Sequence, residues 1–409
     1  MRPKCRSCGA ELRNSFCDLG MSPLSNRFLD AGQLNAMEPF YPLHAYVCGE
    51  CLLVQLEQFQ APEAIFSEYA YFSSYSESWL AHAERYVGAV VERFRIGAAS
   101  RVIEIASNDG YLLQYFSKRG VPVLGIEPAA NVARAAEKRG IPTLVEFFGT
   151  RCAEHVVAER GRADLIVANN VLAHVPELND FVDGVRILLA PRGVATFEFP
   201  HLLRLMLGNQ FDTIYHEHFC YFSLLAVERV LAGHGLRAFD VDELPTHGGS
   251  LRLYVCLADE VQPGRAKALD RVVADERAAG LEKLETYATF KQRTEETKRA
   301  LLEFMIGAKR AGKRIAAYGA AAKGNTLLNY CGLRGDFIDF VVDLNPHKQG
   351  RFLPGTHIPV EHPDRIREAR PDYLLILPWN IEQEVIGQNA HIRAWGGKFV
   401  VPIPTVRVV

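Results

Sequence analysis

The densest group of reactive side chains in the sequence is the segment 211–219, FDTIYHEHF. It follows the fifth of a series of predicted strands, and the carboxyl ends of parallel strands face a shared ligand crevice. If the segment is helical, Tyr215 and His218 lie three residues apart and share a face. His218 could then act as a general base near neutral pH, with Tyr215 or Glu217 orienting it. The alternatives are a metal pair of His216 and His218, or polar groups that only complete a loop.

Two further segments offer polar groups that could reach the same crevice. Asn169 and Asn170 end the fourth predicted strand, where either amide could contact a cofactor or substrate, although a turn cap is an equal alternative. His174 follows them and is either a functional or a core histidine. Tyr75 belongs to an aromatic and hydroxyl-rich segment, residues 69–76, which either covers a cofactor or packs between modules.

A strand–turn–helix–strand unit upstream follows the pattern of a nucleoside-binding site. Its first strand ends in the turn EIASNDG, and its second strand ends at Glu127. A tight turn lets backbone amides approach a ligand, and an acid at the tip of the next strand can accept both ribose hydroxyls. Dinucleotide binding requires glycines where this turn has Ala106 and Asn108, so a diphosphate has no cradle here. The unit therefore predicts S-adenosylmethionine as the cofactor. The predicted cofactor-binding residues are Glu104, Ala106, Asn108, Gly110, Glu127, Pro128, Asn169 and Asn170.

Two Cys-x-x-Cys knuckles near the start of the sequence predict a metal site. Cys5 with Cys8, and Cys48 with Cys51, can each present two thiolates to one tetrahedral zinc ion. Four thiolates close the coordination shell, so the zinc is expected to be structural. Four unrelated buried thiols are the alternative, and Cys17 is a spare thiol that could replace a ligand.

A second glycine-containing turn, YGAAAKGNT, begins at Tyr318 and connects a predicted strand to a helix. The amino end of a helix favours an anion, and Lys323 adds a positive charge. The order of residues matches neither a Walker motif nor the dinucleotide fingerprint, since Asn325 stands where the Walker lysine would be. We expect Tyr318, Lys323 and Asn325 to bind the diphosphate of a substrate, with a plain strand–helix turn as the alternative.

Composition and hydrophobic pattern divide the chain into four regions. Residues 61–263 alternate apolar strands with amphipathic helical stretches, which predicts a parallel sheet covered on both faces and ended by an antiparallel hairpin. Five parallel strands with such a hairpin resemble the class I methyltransferase fold. Residues 1–60 form the predicted zinc-binding domain, residues 264–312 a linker of two helices, and residues 313–409 a second Rossmann-like α/β domain. The predicted strands are 102–106, 123–127, 143–147, 165–169, 194–199, 238–241, 251–257, 314–318, 340–343 and 373–377.

Composition limits the classes of function. The chain has 409 residues, 48% hydrophobic and 23% charged, typical of a globular protein with two or three domains. A net charge of −2 provides no excess of positive charge that would favour binding to nucleic acid. No apolar run suggests a signal peptide or a membrane span. We therefore expect a cytoplasmic protein, a monomer or weak homo-oligomer, whose nine Cys are metal ligands or buried thiols.

Together these motifs resemble the bacterial nucleoside-diphosphate (NDP) hexose C-3 methyltransferases of deoxysugar biosynthesis. The resemblance covers nearly the whole chain, through the Cys knuckles, EIASNDGYLL, ANNVLAHV, FDTIYHEHF, THGGSLR, YGAAAKGNTLLNY, VDLNPHKQGRFLPGTHIP and LPWN. It implies a zinc-binding amino-terminal domain, a central S-adenosylmethionine domain and a carboxy-terminal domain that helps to hold a nucleotide sugar. One departure is His201, where an aromatic hydroxyl would be expected.

The resemblance also implies a chemistry, whose product would enter antibiotic or cell-surface glycan biosynthesis. His218 would remove the C-3 proton of a thymidine-diphospho 4-keto sugar, and C-3 would then attack the sulfonium methyl group. Tyr215 and Glu217 would be its partners, and Tyr215, His174 or Tyr75 would stabilise the enolate.

Three other functions are weaker interpretations of the same residues. A zinc-containing RNA methyltransferase would need a basic face, and the net charge argues against one. A non-catalytic nucleotide-sugar binding protein would not need Glu127 and His218. An oxidoreductase would need the glycine pattern that is missing from the last domain.

Overall fold

Three β-sheets organise the chain in this computed structural model, which describes residues 3–61, 72–260 and 263–409. The strands of the described residues are β1 (Asn14–Ser22), β2 (Tyr41–Val47), β3 (Val54–Leu56), β4 (Val102–Ile105), β5 (Val123–Ile126), β6 (Thr143–Leu144), β7 (Ala163–Asn169), β8 (Leu189–Pro200), β9 (Cys220–Tyr221), β10 (Leu236–Leu244), β11 (Ser250–Leu257), β12 (Ile315–Tyr318), β13 (Val341–Val342), β14 (Val360–Glu361), β15 (Tyr373–Ile376), β16 (Lys398–Val401) and β17 (Arg407–Val408).

Helices connect most of these strands. The α-helices of the described residues are α1 (Glu77–Phe94), α2 (Leu113–Ser117), α3 (Ala130–Lys138), α4 (Thr150–Arg160), α5 (Leu178–Leu188), α6 (Leu202–Leu207), α7 (Leu224–Gly233), α8 (Lys267–Ala278), α9 (Leu284–Ala288), α10 (Phe290–Arg310), α11 (Ala322–Cys331), α12 (Arg365–Ala369) and α13 (Glu382–Gln388). None of the helices in the part that the structure describes is long and apolar enough to cross a membrane.

The central sheet has seven strands in the order β10-β11-β8-β7-β4-β5-β6. Strands β4 to β8 are parallel, and β11 joins β8 in the antiparallel sense before pairing with β10. This confirms the predicted class I methyltransferase fold. Strand β7 is buried along almost its whole length, as expected for a central strand covered on both faces. Strand β6 is only two residues long, shorter than predicted.

The first sheet has the order β1-β2-β3-β9, so it combines three strands from the Cys-rich region with one from the central region. Strand β9 begins two residues after His218 and pairs with β3. The Cys-rich module is therefore bound directly to the segment that carries the predicted base.

The third sheet has the order β14-β13-β12-β15-β16-β17, and only its last pair is antiparallel. Three helices, α8, α9 and α10, connect it to the central sheet, where the sequence predicted two. Gly280 follows α8 with a φ of +83°, and this left-handed turn separates α8 from α9.

Candidate active site and metal centre

The segment 211–219 crosses the carboxyl ends of β7 and β8, and it does not form the helix that was considered for it. A single 3-10 turn, Phe211–Thr213, is followed by a second turn through His216 and Glu217. The Tyr215 and His218 side chains meet across this second turn, with ring centroids 4.0 Å apart. The predicted proximity of these two residues is present, although its geometric cause is a turn.

His218 is held in one tautomer by its two hydrogen-bond partners. Nδ1 lies 3.0 Å from the Thr213 carbonyl oxygen, which can only accept, so Nδ1 carries the hydrogen. Nε2 lies 2.8 Å from the Tyr215 hydroxyl and accepts its hydrogen bond. Burial, with a smaller effect from neighbouring His174, lowers the pKa of His218 well below its ordinary value. The imidazole is therefore neutral, with its basic lone pair on Nε2.

His174 lies directly beside this pair. It ends a 3-10 turn after β7, and its ring centroid is 4.7 Å from that of His218. Burial lowers the pKa of His174 to about 4, so this ring is also neutral at physiological pH. Phe219 N–H donates to the Ala173 carbonyl at 2.7 Å, which fixes the two histidine loops against each other.

Glu217 and His216 point away from His218, towards the amino-terminal module. Asn26 donates to the Glu217 carboxyl group at 2.6 Å, so Glu217 does not orient the base as predicted. His216 donates from Nε2 to the Pro42 carbonyl at 3.2 Å. The alternative of a His216–His218 metal pair is therefore wrong.

Glu217 gives a pH-dependent stability prediction. Burial raises its pKa from 4.5 to about 7, opposed by the bond from Asn26. A raised carboxyl pKa contributes stability that is complete below pH 4.5 and is lost as the pH rises through 7. Glu217→Gln keeps the acceptor oxygen without this loss, so it should stabilise the fold by up to roughly 3 kcal/mol at pH 8 and little at pH 5.

Urea unfolding at the two pH values measures this difference. The exposed Glu57→Gln variant is the control and should leave the pH trend unchanged. Equal destabilisation by Glu217→Gln at both pH values would contradict the assignment.

The predicted cofactor turn follows β4 and has an unusual backbone. Ala106, Asn108 and Gly110 have φ values of +52°, +50° and +76°, so two residues with side chains adopt a conformation that favours glycine. Glu127 accepts hydrogen bonds from the backbone N–H groups of Asn108 and Ala129, both at 2.9 Å. These bonds close the turn against the tip of β5, where Pro128 follows Glu127.

The polar atoms around this turn fit S-adenosylmethionine. Glu104 Oε2 and Asn169 Oδ1 are buried acceptors without a hydrogen-bond partner among the described residues, and the ammonium group of the methionine moiety supplies donors. Asn170 has a φ of +55° and donates its backbone N–H to the Glu198 carbonyl at 2.7 Å. That bond joins the carboxyl ends of β7 and β8 beside the turn.

The four knuckle cysteines come together in one cluster. Their sulfur atoms all lie within 4.8 Å of one another, and the Cys5–Cys51 and Cys8–Cys48 separations are both 3.5 Å. A tetrahedral zinc–thiolate site with bonds of about 2.3 Å places its sulfurs roughly 3.8 Å apart, so the cluster fits zinc. Cys17 is elsewhere, buried 3.8 Å from Thr294 Oγ1, and is not a ligand.

The carboxy-terminal sheet brings one of its three predicted residues to the site. Lys323 Nζ lies 4.6 Å from the centroid of the Trp379 ring and donates to Asn380 at 2.7 Å. Tyr318 instead donates its hydroxyl to Gln388 at 3.0 Å. The Asn325 amide donates to the carbonyl of Ser25, and the residue is buried against the amino-terminal module, which corrects its predicted contact with substrate.

The structure also defines the surroundings of Tyr75 and His201. Tyr75 is 64% exposed and stacks on Phe72, and none of its described contacts is with Tyr215 or His218. Residues 69–71 of its segment lie outside the described residues. His201, which departed from the family pattern, is buried and lies 2.7 Å from the Glu276 carboxylate. It therefore fixes α6 to the linker helix α8.

The structure adds site residues that the sequence analysis missed. Asp212 is fully buried and accepts the Trp379 indole N–H at 2.7 Å. Burial raises the pKa of Asp212 to about 6, and the charge of Lys323 opposes this change. Asp212 thereby joins the base-carrying segment to the residues that hold Lys323. An aspartate in FDTIYHEHF was visible in the sequence, but its partner Trp379 is 167 residues away.

His247 is a second missed residue, in the loop between β10 and β11. Its φ of +55° is rare for a residue with a side chain, and Gly248 follows with +87°. The residue is exposed to solvent on one side. Desolvation by the protein around the ring, with a smaller effect from the charge of Lys323, lowers the pKa of His247 to about 4. Its ring lies 5.5 Å from that of Trp79. His247 therefore lies near both Trp79 of α1 and Lys323 of α11.

A polar cluster around the buried Glu198 lies at the carboxyl end of β8. Glu198 at the end of β8 accepts bonds from His82 at 3.0 Å, from Thr246 at 3.2 Å and from Arg252. Burial alone would raise the pKa of Glu198, but the His82 bond and the Arg252 charge lower it below its ordinary value. The cluster connects α1 and the loop of His247 to β8.

Comparison with known proteins agrees with this arrangement. Three family models match successive parts of the chain: a zinc binding domain at residues 5–66, a methyltransferase domain at residues 79–241, and a C-methyltransferase C-terminal domain at residues 245–404. A SAM-dependent methyltransferase from Anabaena variabilis is a solved structure with 15% identity and a TM-score of 0.36, and the match covers 49% of this chain and 100% of that one.

Two curated relatives differ in how much of the chain they match. A ubiquinone biosynthesis O-methyltransferase of Rhodopseudomonas palustris is 31% identical, over 23% of this chain and 37% of that protein. The C-methyltransferase NovU of Streptomyces niveus is 36% identical, over 99% of this chain and 96% of its own. The cofactors are S-adenosylmethionine and zinc. The chain belongs to the C-methyltransferase family.

Proposed function

We propose that the protein methylates C-3 of a nucleoside-diphosphate 4-keto deoxysugar. The observation that carries this proposal is His218, a half-buried neutral imidazole with its basic nitrogen at the carboxyl ends of the parallel strands. Methylation at carbon requires a carbanion equivalent, and a carbonyl group beside the carbon makes its proton removable. A ketone substrate and a positioned base are therefore the two requirements of the chemistry.

The proton and electron movements follow from the two neighbouring rings. The C-3 proton goes to His218 Nε2, and the electron pair of that C–H bond moves towards the C-4 oxygen. Tyr215 donates its hydroxyl hydrogen to Nε2 in this structure, so the substrate must displace that bond or pass its proton through the hydroxyl. In this proposal His174 and Tyr215, two neutral groups beside His218, stabilise the enolate oxygen.

S-adenosylmethionine supplies the electrophilic methyl group when bound. C-3 of the enolate forms the new carbon–carbon bond as the sulfur–methyl bond breaks. Glu104, Asn169 and the Glu127-braced turn hold the donor beside β4 and β7 in this proposal. Holding the carbon and the methyl group in line supplies much of the acceleration, because the reaction becomes effectively unimolecular.

Lys323 is proposed to bind the diphosphate of the substrate. It lies at the amino end of α11, its Nζ packs against the Trp379 ring, and its charge acts on His247. Lys323→Ala should raise the KM for the nucleotide sugar roughly tenfold or more and leave S-adenosylmethionine affinity unchanged, because one charge-assisted contact is lost. Steady-state kinetics with a titration of the methyl donor checks this result.

Lys313 provides the matched control for that substitution. It is a surface lysine just before the amino end of β12, whereas the α11 turn follows the carboxyl end of that strand, and it pairs with Asp372 at 2.9 Å. Lys313→Ala should leave KM unchanged. An unchanged KM in Lys323→Ala would contradict a diphosphate role.

The substrate class is tested with labelled methyl donor and a panel of thymidine-diphospho 4-keto deoxysugars. The expected result is label in a product whose NMR spectrum shows the new methyl group on C-3. Label attached to oxygen, or incorporation only into sugars without the 4-keto group, would refute the proposed substrate.

A further inference from the structure

Arg6 stands between the first two cysteines of the zinc cluster and reaches out of the cluster. Its backbone N–H donates to Gln55 Oε1 at 2.9 Å. Its guanidinium group donates to the Leu56 carbonyl at 2.9 Å and to the Pro176 carbonyl at 2.8 Å. The same group lies over the Phe219 ring, 5.0 Å from the centroid. One side chain thus contacts three separate segments.

Two of these segments are the histidine loops of the active site. Pro176 follows His174 by two residues, and Phe219 follows His218 directly. The two loops are joined to each other by the Phe219 N–H to Ala173 carbonyl bond. The Arg6 guanidinium therefore lies where both histidine loops leave the site.

The third segment, around Leu56, connects Arg6 to the paired strands β3 and β9. Gln55 on β3 pairs with Cys220 on β9, and the Leu56 N–H donates to the Phe219 carbonyl at 2.9 Å. Gln55 also donates from Nε2 to the Cys5 sulfur at 3.2 Å. A continuous chain of contacts therefore runs from a zinc ligand through Gln55 and Arg6 to the loop of the base.

We propose that Arg6 is a positioning residue, through which the zinc module fixes His174 and His218 relative to each other. This inference rests on the proposed function of His218. The planar guanidinium suits the task because its fixed fork of donors satisfies two carbonyls while its face packs on an aromatic ring. Lysine offers one point charge and cannot make all three contacts in fixed geometry. Zinc thereby shapes the site without contacting the substrate.

The test compares Arg6→Gln and Arg6→Lys with Arg13→Gln as the control. Arg13 belongs to the same module but is 66% exposed and pairs only with Glu11 among its described contacts. Zinc content, S-adenosylmethionine affinity, kcat and hydrogen exchange of the backbone amides are measured for each variant. All variants should retain zinc and bind the methyl donor as the wild type does.

The expected result is a split between these measurements. Arg6→Gln should lower kcat roughly tenfold to a hundredfold, since small displacements of a reacting group have effects of this size. Exchange in segments 172–176 and 217–221 should be roughly tenfold faster, because the loops lose their anchor. Arg6→Lys should fall between Arg6→Gln and the wild type, and Arg13→Gln should match the wild type. Unchanged exchange in Arg6→Gln would overturn the proposal.

A double substitution of Arg6→Lys with Phe219→Leu keeps the proposal testable if Arg6→Gln loses zinc. Phe219→Leu removes the aromatic ring on which the guanidinium packs and leaves the Cys5–Cys8 knuckle unchanged. If Arg6 acts through Phe219, the two substitutions together should accelerate exchange little more than either alone. Fully additive effects would overturn the proposal. Because exchange and zinc content need no substrate, an incorrect sugar assignment would leave these results in place.

Discussion

Replacing His218 with glutamine is expected to lower kcat roughly a thousandfold, because general base catalysis contributes an acceleration of about this size. The affinity for S-adenosylmethionine should not change, since the predicted donor-binding residues lie at the carboxyl ends of β4, β5 and β7 and in the turns after them. Glutamine can still contact the Thr213 carbonyl, but it has no basic nitrogen. Single-turnover kinetics with saturating methyl donor measures the chemical step directly.

The neighbouring histidine supplies the control for that substitution. His216 belongs to the same segment but bonds to Pro42, so His216→Gln should remain much closer to wild type. Wild-type kcat in His218→Gln would remove the base from this account. Comparable losses in both variants would mean that the substitution disturbs the segment rather than the chemistry.

Replacing Cys48 with alanine is expected to eliminate zinc binding and to lower the melting temperature by roughly 10 °C or more. Structural zinc contributes apparent binding free energies of about 10–16 kcal/mol in isolated zinc-binding peptides, and metal binding is coupled to folding. The loss should extend to activity, because β3 of this module pairs with β9 beside the base. Metal analysis and calorimetry measure the two effects.

Cys17 is the matched control because it is a buried thiol of the same module outside the cluster. Cys17→Ala should keep one zinc ion per chain. Retention of zinc by Cys48→Ala, or its loss from Cys17→Ala, would contradict the four-thiolate site.

The sequence predicted the features that depend on local patterns. Apolar runs of strand length identified the parallel strands of the central sheet, and the spacing of Cys5, Cys8, Cys48 and Cys51 identified the metal site. Both signals depend on short segments, since strands bury alternate or continuous residues and a knuckle is a four-residue turn.

Features set by tertiary contacts could not be predicted in this way. The sequence could not distinguish a turn from a helix in the base segment, because three-residue spacing also brings side chains together across a tight turn. Glu217 turns to Asn26, 191 residues away, and Asp212 pairs with Trp379. The Arg6 contacts likewise join segments that are distant in the chain. No periodicity in one sequence indicates such pairs.

Non-glycine residues in left-handed backbone conformations are a related case. Ala106 and Asn108 suggested that the cofactor turn departs from glycine-rich geometry, yet their φ values are positive as glycines would allow. The surrounding structure imposes this conformation, because Glu127 accepts the Asn108 N–H and Ser73 donates to the Asn108 side chain at 2.8 Å. Composition alone does not reveal such constraint.

The most direct test of the account is hydrogen exchange at the sugar carbon. The protein is incubated in D2O with a thymidine-diphospho 4-keto deoxysugar and S-adenosylhomocysteine, so that no methyl group can transfer. NMR should show the C-3 hydrogen replaced by deuterium in the wild type and retained in His218→Gln. A C-3 signal that persists with the wild-type enzyme, while a parallel sample containing S-adenosylmethionine is methylated, would contradict proton removal by this histidine.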